Sequence, residues 1–151
     1  MKKLLYFSAM FFLLSYNKIN AQTMSITNYS ETCDVVVGLY AHDMYGASCG
    51  SNASYPITIP AYGGSVFISA PTNLNSPGCT PVSWATGGSI GSGAAWDMAK
   101  AYVSCSGCTG FIGAKVSPCY TSSTYYSGSP CCIISSTWYD DGSGNITIAF
   151  Q

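Results

Sequence analysis

Short runs in which apolar and polar residues alternate recur along the chain, and Gly, Pro, Ser or Asn close nearly all of them. A period of two is what a β-strand with one covered face requires, because successive side chains leave the backbone on opposite sides. In the longest run Cys33, Val35, Val37 and Leu39 fall on one side, and Asp34, Val36, Gly38 and Tyr40 on the other. Shorter runs cover Ser25 to Tyr29, Tyr55 to Ile59, Ser65 to Ala70, Pro81 to Ala85, Ala99 to Ser104, Gly110 to Val116, Cys132 to Tyr139 and Asn145 to Phe150. The turn residues Pro60-Ala61-Tyr62-Gly63-Gly64 predict a hairpin between the two runs that flank them. Asp140-Asp141-Gly142-Ser143-Gly144 predicts a second hairpin that ends in the alternating Ile146, Ile148 and Phe150. Only Ala94 to Val103 has the residues for a helix, of one or two turns. The expected fold is all-β: a disulfide-rich β-sandwich, or small barrel, of about seven to nine short, mainly antiparallel strands.

The first 21 residues stand outside this pattern. Lys2 and Lys3 precede an apolar run from Leu4 to Leu14, which is too short for the roughly 20 residues that span a bilayer. Polar residues from Ser15 to Asn20 and the small Ala21 follow. This is the layout of a secretory signal peptide cut after Ala21, and it assigns residues 1–21 to the signal and 22–151 to a single secreted β domain. The short signal has a bacterial look, and the absence of a Cys after the cut argues against a lipid anchor. The expected location is extracellular, at the cell surface or periplasmic, without membrane insertion once the signal is removed.

Export changes the meaning of the charge. Lys2, Lys3 and Lys18 leave with the signal, so Lys100 and Lys115 face Glu31, Asp34, Asp43, Asp97, Asp140 and Asp141, a net charge of −4 with no arginine. Nucleic acids need several phosphate-neutralising cations and anionic membranes a basic patch, so neither is an expected partner. Few charges also weaken the repulsion that keeps chains apart. The uncharged C-terminal strand, if it lay at a sheet edge, would be open to pairing with a neighbour.

All eight cysteines, Cys33, Cys49, Cys79, Cys105, Cys108, Cys119, Cys131 and Cys132, fall in the exported part. An even number in a secreted chain reads as a disulfide framework, although sequence cannot choose among the pairings. Other uses of cysteine fit less well. Cys105-Ser-Gly-Cys108 has redox spacing without the βαβ context, Thr109 stands where haem attachment needs His, and a zinc site lacks a second spaced pair.

Catalytic constellations are sparse. His42, the only histidine, stands beside Asp43 and is the sole candidate base, but no GxSxG elbow supplies a nucleophile. Gly87 to Gly93 lacks the Lys-Ser/Thr of a phosphate loop and reads as a flexible loop. Asp140, Asp141, Ser143 and Asn145 form a weak Ca²⁺ candidate, because hard oxygens of this kind hold that ion, but the spacing is not that of an EF-hand. No cofactor is otherwise expected. Aromatic residues are plentiful, and Trp84, Trp96, Trp138, Tyr125 and Tyr126 are candidates for ligand contact, since a ring brings large area at low entropy cost. The sequence thus points to a secreted, non-enzymatic structural or self-associating protein. The alternative is a carbohydrate- or protein-binding module presenting Trp and Tyr from loops, and a small secreted hydrolase is the third class.

Overall fold

A computed structural model describes residues 22–43, 50–75, 82–103, 109–113, 124–128 and 133–151. The signal segment and seven of the eight cysteines, Cys49, Cys79, Cys105, Cys108, Cys119, Cys131 and Cys132, lie outside these residues. Cys33 is buried and disulfide-bonded. Among the described residues no helix is long and apolar enough to cross a membrane.

The chain forms β1 (Met24–Asn28), β2 (Val35–His42), β3 (Asn52–Ser54), β4 (Ile57–Ile59), β5 (Gly64–Ile68), a 3₁₀ turn (Pro71–Asn75), β6 (Trp84–Thr86), β7 (Ala95–Val103), β8 (Thr109–Gly113), β9 (Thr124–Gly128), β10 (Ile133–Asp140) and β11 (Ile146–Phe150). The strands make two sheets in a sandwich-like all-β arrangement. One runs β5-β1-β11-β10-β9; the other runs β6-β3-β2-β7-β8, with β4 also paired to β2. All pairings are antiparallel except β1 with β11, which is parallel.

Alternation builds the core between the sheets. Met24, Ile26, Ile68, Ile134, Ile146, Ile148 and Phe150 enter from the first sheet, and Val35, Val37, Leu39, Ala41, Ile57, Ile59, Ala99, Ala101, Val103 and Ile112 from the second. Each fully buried Val, Leu, Ile, Phe or Met side chain stabilises by about 1.5–3 kcal/mol relative to exposure. Two of the polar groups that enter this space, Asn28 and Ser54, are satisfied locally. Asn28, fully buried, donates from Nδ2 to the carbonyls of Cys33 (2.8 Å) and Ile59 (3.0 Å) and accepts Ser30 N–H (3.1 Å), which ties the end of β1 to β4 in the opposite sheet. β3 and β4 share one edge of β2, and where they break Ser54 Oγ accepts Leu39 N–H at 2.9 Å.

The sequence expectations hold for most alternating runs and fail in identifiable places. The C-terminal hairpin of β10 and β11 forms. The hairpin expected across Pro60 to Gly64 does not, because β4 pairs with β2 while β5 pairs with β1. That turn carries the chain from one sheet to the other, with Tyr62 and Gly63 at positive φ and their N–H groups donating to Ser30 and Asn28 carbonyls. The helical option at Ala94 to Val103 is replaced by β7, whose Ala99 and Ala101 pair with Leu39 and Val37 of β2. The C-terminal strand is not an edge: β11 lies between β1 and β10, so its lack of charge is that of an interior strand. The strands number eleven among the described residues, because the three-residue β3 and the Tyr-rich β9 carry no alternation of apolar residues that would announce them.

Candidate functional site

Trp84 opens β6, a three-residue edge strand, and is held there by its indole N–H, which donates to Asn75 Oδ1 at 3.1 Å. The same oxygen accepts Ile90 N–H (2.9 Å), and Asn75 Nδ2 donates to Ile90 carbonyl (2.7 Å). One side chain, delivered by the 3₁₀ turn, therefore fixes both the tryptophan and the Gly-rich loop after it. A second amide completes the fastening: buried Asn52 donates from Nδ2 to Gly88 carbonyl at 2.6 Å. Gly87 and Gly88 take positive φ, which only glycine does without strain. A Cβ on Gly87 would stand 2.4 Å from Ser51 carbonyl oxygen. The segment expected to be a flexible loop is thus pinned from two sides.

This arrangement encloses a cleft of about 330 Å³ lined by Tyr55, Leu74, Asn75, Ser83, Trp84, Gly88 and Ser89. Its size is that of a site for one small ring. Leu74 is buried, Tyr55 is exposed with its ring free to cover a ligand, and Trp84 is half-buried with its ring 6.1 Å from that of Trp96. Among the described residues the hydroxyls of Tyr55, Ser83 and Ser89 make no hydrogen bond within the protein. None of the described lining residues carries a charge at neutral pH. The cleft thus offers aromatic surface and unengaged hydroxyls without an ionic group.

The other candidate ligand contacts fare differently. Trp96 and Trp138 are 6% and 4% exposed, so both rings belong to the core. Trp96 is anchored to Gln22, whose main-chain carbonyl accepts the indole N–H (2.7 Å) and whose Oε1 accepts the Trp96 backbone N–H (3.1 Å). Trp138 Nε1 is buried without a partner, as is Ser136 Oγ two residues earlier on the same face of β10. Tyr125 and Tyr126 lie on β9, an edge strand, where Tyr126 pairs with Ser135 and Tyr125 with Ser136.

His42 is near Asp43 in sequence, but its structural partner is Asp97. The β2–β7 register shifts between Tyr40 and Ala41, leaving Asp97 as an extra residue opposite the bulge, with Trp96 and Asp97 buried in succession. The bulge turns Asp97 toward the end of β2. There Oδ1 lies 2.5 Å from His42 Nδ1 and Oδ2 accepts Gly50 N–H at 2.8 Å. An imidazole held by a carboxylate at Nδ1 has the pose of a general base, but no hydroxyl or thiol nucleophile contacts its Nε2 among the described residues. The sequence offered no signal for this pair, since the residues stand 55 apart and the bulge that joins them has no motif.

At the Ca²⁺ candidate the oxygens are used by the turn itself. Asp140 Oδ1 accepts Gly142 N–H (2.8 Å), Asp141 Oδ1 accepts Ser143 N–H (2.7 Å) and Asn145 N–H (3.2 Å), and Asp141 Oδ2 accepts Asn145 Nδ2 (2.7 Å). These are Asx-turn bonds, which fix a hairpin loop. Asn145 Oδ1 in turn accepts from the Thr23 hydroxyl at 2.9 Å and its N–H at 3.3 Å, tying the hairpin to the start of β1.

Comparison of the chain with protein-family models, with curated proteins and with solved structures gives no match.

Proposed function

We propose that the protein is a secreted glycan-binding module, exported by cleavage after Ala21, stapled by disulfides among its eight cysteines, and acting through the cleft beside Trp84. The observation that carries this reading is the lining: among the described residues, a tryptophan and a tyrosine over unengaged hydroxyls, with no ionic group. Sugar rings present apolar C–H faces and hydroxyl rims, so a neutral saccharide matches both parts of that surface. Pinning by Asn75 and Asn52 supports it further, because a preorganised loop spends less of its binding energy on ordering. Export is supported by the engagement of Gln22, the first residue after the expected cut, with Trp96.

Self-association, the reading the sequence put first, loses one support because the uncharged C-terminal strand is internal. Binding is preferred to hydrolysis because His42 faces Asp97 without a nucleophile among the described residues.

The test is a neutral-glycan array with oxidised mature protein, followed by calorimetry on any hit with Tyr55→Ala and Trp84→Ala. A loss of about tenfold or more is expected for each, the usual weight of an aromatic anchor. An array without hits, or a hit indifferent to both substitutions, overturns the reading. Size-exclusion across a wide concentration range checks self-association separately, and a monomer throughout is expected.

A further inference from the structure

We infer that the outer face of the second sheet around Lys100 is a separate binding site, one that takes the carboxylate of an acidic sugar against an aromatic surround. The placement follows from register. Lys100 on β7 stands opposite Gly38 on β2 and opposite Phe111 on β8, so these three form one row across the sheet. Met98 and Tyr102 flank Lys100 along its own strand on the same face, and Tyr40 lies on the adjacent row opposite Met98. The ammonium sits 5.0 Å from the Tyr102 ring centroid and 5.5 Å from that of Phe111, and the Tyr40 and Phe111 rings are 6.5 Å apart at 58°. On the other side of Lys100 the row is open: Gly38 has a buried backbone, yet a Cβ there would meet nothing within 4 Å. The missing side chain at Gly38 leaves a gap in this face, edged by rings, with one cation beside it.

That cation lacks a carboxylate. All six acidic residues belong to the described part of the chain, and none forms a salt bridge with Lys100. Asp34, the acid nearest along the same face of β2, accepts Ala61 N–H, and Asp97 is taken by His42 and Gly50. In a domain with more acids than bases, a lysine left without an acid and held over two rings has charge to offer a ligand. Its geometry excludes a bare polyanion as the best partner, because the −4 domain would repel a dense run of charge. A single sugar ring bearing one carboxylate fits: the ring covers aromatic surface above the Gly38 gap while the carboxylate meets the ammonium. The described residues of the cleft beside Trp84 carry no charge, so this inference does not rest on the glycan reading of that cleft.

The test is an NMR titration of isotope-labelled mature protein with sodium glucuronate, in parallel with glucose and with sodium acetate. Glucuronate is expected to shift the amide signals of Gly38, Lys100, Tyr102 and Phe111 and to bind more tightly than either control. Lys100→Met, which keeps the stem and removes the charge, is expected to weaken glucuronate binding about fivefold, the equivalent of a surface ion pair. Lys100→Arg keeps the charge and most of the binding, and Trp84→Ala leaves it unchanged. The inference is overturned if glucuronate shifts none of these signals, or if glucose shifts these same four signals with equal affinity, which would leave no role for the cation at this site. It is also overturned if acetate binds equally, since the rings would then contribute nothing, or if Lys100→Met is indifferent. None of these results bears on the neutral-glycan array, so the two readings fail separately.

Discussion

His42 Nδ1 meets Asp97 Oδ1 at 2.5 Å across the β2–β7 pair, and the carboxylate beneath is 1% exposed. Its other oxygen accepts Gly50 N–H, so a single buried group joins the end of β2, the bulge of β7 and the approach to β3. Removing one donor from a buried acceptor costs about 1–3 kcal/mol. His42→Ala is therefore expected to lower stability by that amount, and Asp97→Ala by at least as much, since it also orphans the Gly50 N–H. Urea unfolding of the oxidised protein measures both, and two unchanged midpoints would show that the contact bears no weight.

The two adjacent glycines of the cleft loop should respond unequally to a methyl group. Gly87 and Gly88 both have positive φ, which costs an L-residue about 1–2 kcal/mol. At Gly88 the added Cβ meets nothing within 4 Å, whereas at Gly87 it meets Ser51 carbonyl oxygen at 2.4 Å and the Asn52 side chain at 2.6 Å. Gly88→Ala should cost only the backbone term. Gly87→Ala should cost clearly more and shift Asn52 from Gly88, which thermal unfolding of the pair would reveal; equal losses would contradict the close approach.

Asn75 is expected to be the most sensitive polar position at the cleft. It accepts from Trp84 Nε1 and Ile90 N and donates to Ile90 carbonyl, so alanine there strands three groups at once. Partly buried hydrogen bonds of this kind contribute about 0.5–1.5 kcal/mol each. Asn75→Ala should lower stability by about 1–3 kcal/mol and expose the Trp84 ring, seen as a red shift in tryptophan emission against a Trp84→Phe reference.

How much of this was readable in advance depends on how local each determinant is. Alternation in Val35 to Leu39 and Ile146 to Phe150 names the buried residues correctly, because burial of one face is written at period two. Partner choice is not local. Pro60 to Gly64 has ordinary hairpin chemistry, yet β4 pairs with β2 and β5 with β1, and Ile57, Ile59 and Ile68 are buried in that arrangement. Ala94 to Val103 has helical composition that pairing with β2 overrides. Trp84 was visible as a candidate contact, but Asn75 and Asn52, which make the cleft, were not, since an asparagine's long-range bonds leave no trace in spacing. The same holds for Asp97, whose partner is fixed by a bulge.

Ser136 and Trp138 make a contrasting case, in which loss of a polar atom should do no harm. Both present a buried polar atom without a partner, Oγ and Nε1 respectively. A buried hydroxyl without a hydrogen bond has lost its water and gained nothing. Ser136→Ala is accordingly expected to leave stability unchanged or to raise it by up to about 1 kcal/mol, unlike the usual core substitution. A clear fall in the unfolding midpoint would mean that the hydroxyl is satisfied in solution.

The hairpin turn gives the pH test. The Asn145 side-chain amide, first, and the Ser143 backbone N–H, second, hold the Asp141 carboxyl below the 3.8 of an unperturbed aspartate. A folded value depressed in this way contributes stability that is present above the unfolded value and is lost as pH falls through the folded one. The carboxyl carbon of Asp141, followed by NMR, should therefore titrate below 3.8 in the folded protein. Asn145→Ala removes the largest cause and should move the midpoint up toward that value. Because Asn145 Oδ1 also accepts from Thr23, the control is Thr23→Val, which removes the hydroxyl's bond to Asn145 without touching the carboxylate and should leave the midpoint in place. A midpoint unmoved by Asn145→Ala would assign the depression to the backbone donors of the turn instead, and a midpoint moved equally by Thr23→Val would assign it to the docking of the hairpin against β1.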